Sequence, residues 1–291
     1  MKKQSSYKFL GAQVDALSIL DLNLLIEESI GKNEKWIIAN HNLHSLYLFH
    51  NDPKMQAFYA KAEYTHIDSM PMVFIGKLLG FPIKREQRVT YADWVWPLME
   101  EAVNKGWRVF YLGSKPGVAE QGASILRQRF PGLQIACAHG YIDRDKDSQE
   151  NLSTLAAINA YKPHVLMVGM GMPRQEHWIS ENLEYIQTNT ILTCGACIDY
   201  VAGVIPTPPR WMGKMGLEWL YRLLSEPRRL WSRYLVEPWF LCTLLLREIW
   251  DFCNRSGGEK EKAKPLSIKL KPKKAILIMQ QSATLYEENK Y

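Results

Sequence analysis

From Trp36 onward, short apolar runs alternate with stretches in which apolar residues recur every three to four positions. A short apolar run bounded by turn-forming residues reads as a buried strand, and the longer periodicity as an amphipathic helix. "WIIAN" (36–40) is the first strand of this kind. "LHSLYLFHNDPKMQAFYAKA" (43–62) is helical, with a break expected near Asp52-Pro53. "YTHID" (64–68) is a strand, and "MVFIGKLLG" (72–80) a helix ended by Gly80. "YADWVWPLMEEAVNKG" (91–106) predicts a helix, "RVFYLG" (108–113) a strand and "GVAEQGASILRQRFPG" (117–132) a helix. Then follow "LQIACAHG" (strand), "SQENLSTLAAINAYKP" (helix), "HVLMVGMG" (strand), "RQEHWISENLE" (helix) and "TILTCGAC" (strand).

This alternation predicts an α/β fold: a Rossmann-like, mostly parallel sheet with helices on both faces. In such sheets ligands gather outside the carboxyl ends of the strands. After about Ile205 the pattern changes. The stretch up to Arg255 is rich in Trp, Tyr, Arg and Leu, and reads as two or three helices punctuated by Pro227 and Pro238. Beyond Ser256 a lysine-rich segment begins, in which "AILIM" either pairs as a strand or docks on a surface. Three regions are therefore expected: an α/β core (1–205), a helical Arg/Trp-rich appendage (206–255) and a flexible tail (256–291).

With 291 residues, 47% of them hydrophobic and 23% charged, the chain can bury a sizeable core without disulfides. Its five cysteines are few and sit mostly in apolar segments, as expected in a reducing compartment. Its start, "MKKQSSYKFLGAQVDAL", lacks the apolar core of a secretory signal. No run reaches the ~20 apolar residues of a spanning helix. A cytoplasmic protein is expected. The net charge of +6 suits anionic partners.

Asp68 ends a strand before a helix, where it serves either as a cap or as a catalytic group. "YLGSKPGVAEQ" carries the chain through Gly113, Ser114 and Gly117 into a helix, a start that suits a phosphate but that, as a plain strand-to-helix turn, needs no ligand. "VGMGMPRQEHW" has Gly169 and Gly171 as a G-x-G, but Arg174 replaces the third glycine, which argues against nicotinamide binding. Gln175 and Glu176 open the following helix, as sugar-reading groups or as caps. Cys194 and Cys197 form one C-x-x-C, which is too few ligands for structural zinc, and they read as core residues. His41 and His44 are equally insufficient, and no D-x-D pair ends a strand. Arg222, Arg229 and Arg233 would share one helical face if the helix ran through Pro227, and Trp and Leu interleave with them. That pattern suits an anionic interface or ordinary packing.

Together, "IDSMPMVFIGKLLG", "RVTYADW", "YLGSKPGVAE", "VGMGMPRQEHWI", "GACIDYVAGVIPTPPRWM" and "GLEWLYRLLSEPRRLWSRYL" resemble the WecG/TagA/CpsF family of bacterial glycosyltransferases, over about residues 36–236. The resemblance implies an inverting transfer of a sugar from a UDP-sugar to a polyprenyl-diphosphate-linked sugar. It implies Asp68 as catalytic base, Arg88 and Gln175 at the active site, and Arg222, Arg229 and Arg233 in a C-terminal appendage that completes the site and contacts the membrane. Asn40 stands where relatives often carry Thr, while Asn42 keeps the family's Asn. No metal cofactor and no nucleic-acid partner are implied. The inner face of the cell membrane is the expected location, and self-association stays open. Another nucleotide-binding enzyme on the same sheet, using NAD or S-adenosylmethionine, is the alternative.

Overall fold

The structure, a computed structural model, describes residues 5–206, 212 and 218–255, with backbone alone at 218, 229 and 251–255. The described residues fall within one compact unit, Met1–Glu259. The lysine-rich tail from residue 256 on, "AILIM" included, lies outside the described residues.

Eight strands form one sheet in the order β1-β2-β4-β3-β8-β7-β5-β6. They are β1 (Ser6–Phe9), β2 (Ala12–Asp15), β3 (Trp36–His41), β4 (Tyr64–Ile67), β5 (Arg108–Gly113), β6 (Gln134–Ala138), β7 (Val165–Gly169) and β8 (Thr190–Thr193). Every neighbouring pair is parallel except β1 and β2. Those two form a hairpin whose turn, Leu10-Gly11, has positive φ at both residues (50° and 76°), matching the right-handed strand twist. Two four-residue strands give too short a periodicity to announce this antiparallel edge from sequence.

The helices cover both faces. One face carries α1 (Ile19–Gly31), α5 (Tyr91–Lys105), α6 (Val118–Arg129) and α9 (Cys197–Val201), packed on Ile38, Val109, Tyr111, Val165, Met167 and Leu192. The other carries α3 (Pro53–Lys61), α7 (Gln149–Tyr161) and α8 (Arg174–Asn182), packed on Ile37, Phe110, Leu112, Leu166 and Ile191. Alternate residues of one strand thus serve opposite cores, as the period of two demands. A third cluster joins the hairpin to α2 (Leu43–Asn51) and α4 (Met70–Leu78) through Phe9, Leu46, Ile67 and Val73. The break between α2 and α3 falls at Asp52, whose side chain accepts from the Lys54 N–H, with Pro53 as the first residue of α3.

One expectation needs correction. "TILTCGAC" is a strand only to Thr193, because Gly195 takes φ 55° and Cys197 opens α9. The arginine-bearing segment is several helices, as expected from its prolines. It consists of α10 (Glu218–Ser225), α11 (Pro227–Trp231), a π-turn (Ser232–Val236) and α12 (Glu237–Arg255). Glu226, at φ −136° and ψ 59°, breaks the first junction before Pro227. Pro238 sits in the first turn of α12, at the boundary with the π-turn, where its missing N–H costs nothing.

Candidate active site

Asp68 directly follows β4, and its N–H donates to the His41 carbonyl at 2.8 Å. This places Asp68 at the carboxyl edge beside the end of β3. The N-cap position of α4 falls on Ser69, so Asp68 stands one residue before the cap. Its Oδ2 accepts from Asn40 Nδ2 at 2.9 Å and from Asn42 Nδ2 at 3.4 Å. Asn40 is itself fixed. Its Oδ1 accepts from the Thr193 hydroxyl at 3.0 Å, and its backbone carbonyl from the Tyr59 hydroxyl at 2.9 Å. Asn42 caps α2, its Oδ1 accepting from Ser45 N–H while Ser45 Oγ accepts from Asn42 N–H. Each asparagine amide therefore spends its oxygen on the scaffold and its nitrogen on Asp68.

Arg88 reaches the same edge by a backbone route. It forms a parallel bridge with Ile67, and the Val89 N–H donates to the Ile67 carbonyl at 2.8 Å. The chain there extends the sheet past β4, which brings half-buried Arg88 alongside Asp68.

Gly113 and Gly169 end β5 and β7 in register with each other. A Cβ on Gly113 would lie 2.4 Å from the Gly169 carbonyl oxygen, and one on Gly169 2.5 Å from that of Gly195. The Tyr111 hydroxyl fills the remaining space and meets Ser114 Oγ at 2.7 Å. Ser114, at φ 57°, turns the chain away, and Gly117, at φ 82°, starts α6. The chain leaves β5 toward β6 and leaves β7 toward β8, in opposite directions across the sheet. This is the switch-point crevice where open parallel sheets take ligands. Gly117, Gly171 and Gly195 all have positive φ and open space at the Cβ position, so the turns around it carry no side chain there.

Gln175 does not face this opening. It is buried, and its Oε1 accepts from both Gly171 N–H and Gly195 N–H at 3.2 Å, while Nε2 donates to Glu176 Oε1 at 2.7 Å. Glu176 is fully buried and burial raises its pKa to about 7. Cys194 and Cys197 are free, buried thiols, as core residues should be. His41 is buried against Ser45, and burial lowers its pKa to about 3, so it stays neutral. Among the described residues, no group of three or more His, Cys, Asp or Glu is arranged to hold a metal ion.

The C-terminal arginines divide. Arg222 donates to the Tyr200 hydroxyl on α9. Burial lowers the pKa of Arg233, opposed by Tyr234, Glu237 and Asp68 and reinforced by Arg222. Arg233 thus lies within electrostatic reach of both Asp68 and Arg222. The Arg229 side chain lies outside the described residues. Thr193 and Tyr59, which fix Asn40, carry no motif of their own, so sequence reasoning passes over them.

The chain matches the glycosyl transferase WecG/TagA/CpsF family over residues 7–254. It belongs to that family. An N-acetylglucosaminyldiphosphoundecaprenol N-acetyl-beta-D-mannosaminyltransferase of Bacillus spizizenii is 29% identical over 198 residues, covering 68% of this chain and 74% of the relative. One of the same name from Staphylococcus aureus is 26% identical over 229 residues, covering 75% and 87%. As a WecG/TagA/CpsF member the protein is a glycosyltransferase, not an oxidoreductase or methyltransferase. No described helix is long and apolar enough to cross a membrane.

Proposed function

We propose that this glycosyltransferase moves a sugar, N-acetylmannosamine-type, its uronic acid or a hexose, from a UDP-sugar to a polyprenyl-diphosphate-linked sugar in cell-surface polysaccharide or teichoic acid synthesis. The names of its relatives support a diphosphoundecaprenol-linked acceptor. One observation carries the reading: a carboxylate at the carboxyl edge of the sheet, oriented by two amide donors that are themselves fixed.

In this reading the acceptor hydroxyl oxygen attacks the anomeric carbon, the bond from that carbon to the UDP oxygen breaks, and the hydroxyl proton passes to Asp68. Attack from the face opposite the leaving group inverts the anomeric centre. A general base of this kind contributes about 10²–10⁴-fold in rate. The departing diphosphate is stabilised at the turn Gly113, Ser114 and Gly117 and by Arg88, Arg222, Arg229 and Arg233, without a metal ion. Gln175 and Glu176 lie buried behind the turns after β7 and β8 and support the site from within. The arginine- and tryptophan-bearing helices 218–255 hold the enzyme at the inner face of the membrane, where its acceptor resides.

The test is Asp68→Asn, isosteric and unable to take the proton. UDP release with donor and acceptor present should fall at least about 100-fold while the melting transition stays cooperative. Near-native turnover in that variant would remove Asp68 from the base role. Loss of wild-type activity in EDTA, recovered with one divalent ion, would refute the metal-free reaction.

A further inference from the structure

Glu176 has no solvent exposure, and its Oε2 has no hydrogen-bond partner among the described residues. A buried carboxyl left half-satisfied is uncommon and calls for a reason. Its other oxygen supplies one. Oε1 accepts from Gln175 Nε2, which forces the Gln175 carbonyl to point the opposite way. That carbonyl accepts from Gly171 N–H after β7 and from Gly195 N–H after β8. A flipped amide would set an NH2 group against two N–H donors. Glu176 therefore selects the single orientation of Gln175 that ties the two turns together.

The chain of contacts continues to the reacting edge. Gly195 lies two residues past Thr193, whose hydroxyl fixes Asn40, and Asn40 donates to Asp68. From the other side, Tyr59 on α3 donates to the Asn40 carbonyl and lies within electrostatic reach of both Glu176 and Asp68. We propose that Glu176 is a positioning residue for the transfer reaction: it locks Gln175, and through Gly195, Thr193 and Asn40 it holds the Asp68 carboxylate in its reactive orientation. This rests on Asp68 being the base, and it takes Glu176 out of direct contact with substrate.

The ionisation of Glu176 supports the same role. Burial favours the neutral acid, with Gln175 opposing it. Tyr59, on α3, is a titratable group within electrostatic reach of Glu176. On either side, His177 is engaged with Asp52 at 2.8 Å and Glu181 with Lys54 at 3.0 Å. As pH rises through about 7 the carboxyl takes on a charge that its burial disfavours and the Gln175 hydrogen bond favours, so the state of the brace changes across that range.

The experiment compares full-length wild type, Glu176→Gln, Glu176→Met and Thr193→Val for kcat and KM between pH 6 and 9. Glu176→Gln keeps an acceptor for Gln175 and should recover at least about a third of wild-type kcat, with a flatter profile above pH 7. Glu176→Met should lose about 30-fold or more in kcat with both KM values within about threefold. Thr193→Val, which breaks the relay where little else depends on it, should lower kcat in the same manner even if the Met variant does not fold. Full kcat in Thr193→Val, or raised KM with unchanged kcat in Glu176→Met, would overturn the proposal. So would a Gln variant as impaired as the Met variant. Asp68→Asn in the same series separates the two failures: an inactive Asn variant beside a fully active Thr193→Val leaves the base standing without its brace. An active Asn variant removes the base itself.

Discussion

Asp68 and Asp15 lie one strand apart, and their surroundings make them opposites. Asp68 is half-buried and receives two side-chain amides. Asp15, at the end of β2, is buried, and its carboxylate accepts the Thr65 N–H at 2.7 Å. Burial raises its pKa from 3.8 to about 6, against the opposing effects of Thr65 and Ser6. The sign follows directly. The folded state prefers the neutral acid, so stability is greatest below the unfolded pKa and falls as pH rises through about 6. Two pKa units correspond to about 3 kcal/mol, an order-of-magnitude figure. Asp15→Asn keeps an oxygen for Thr65 and cannot ionise. Urea unfolding at pH 4, 6 and 8 should show the variant gaining on wild type by up to about 3 kcal/mol across that range. Parallel stability curves for the two proteins would show that Asp15 does not carry this cost.

At the scale of elements, the site depends on how closely β5, β7 and β8 approach at their carboxyl ends. Gly169 has the Gly195 carbonyl oxygen and the Tyr111 hydroxyl each 2.5 Å from where a Cβ would stand. Neither is a flexible tip, since one is backbone and the other is held by Ser114. Gly169→Ala should destabilise the protein by about 3 kcal/mol, read as a lowered melting temperature, and widen the crevice. An alanine variant that melts with wild type would show that the strands can part at no cost. This crowding was only partly legible in the sequence. The runs that became β3, β5 and β7 are apolar on both faces, and their companion helices carry a clear 3.6 period, so those elements could be read directly. Gly113 and Gly169 could be seen to end strands, but not that they oppose one another, because strand order is set by crossovers that periodicity does not record. The partners of Asp68 were hidden for the same reason. Asn40 lies 28 residues away and Thr193 another 153, and only the β4-β3-β8 adjacency brings them together. The hairpin at residues 6–15 was missed because each strand spans just two side-chain alternations.

At the scale of the whole molecule, the C-terminal helices both belong to the core and present a second surface. Leu241 is buried in the hairpin cluster, Glu237 meets His44 of α2 at 2.7 Å, and Glu248 accepts the Leu10 N–H at 2.6 Å. Removing everything past Ile205 would therefore expose core as well as delete arginines, and a loss of activity would have two causes. Point changes on the outer surface separate them. Trp239, Leu246 and Trp250 are 74%, 67% and 69% exposed. At about 100° per residue they fall within about 40° of one another, on one face of α12. An apolar stripe beside basic residues suits an interfacial helix that seats its aromatics at the headgroup boundary. Trp239→Ser with Trp250→Ser should leave the melting temperature within about 2 °C, because neither indole supports the core. The same pair should weaken sedimentation with anionic phospholipid vesicles at least about tenfold, and lower turnover on a vesicle-borne polyprenyl acceptor while sparing a short water-soluble one. Unchanged vesicle binding would mean that this face meets something other than lipid, and equal losses on both acceptors would place the tryptophans in the reaction rather than at the membrane.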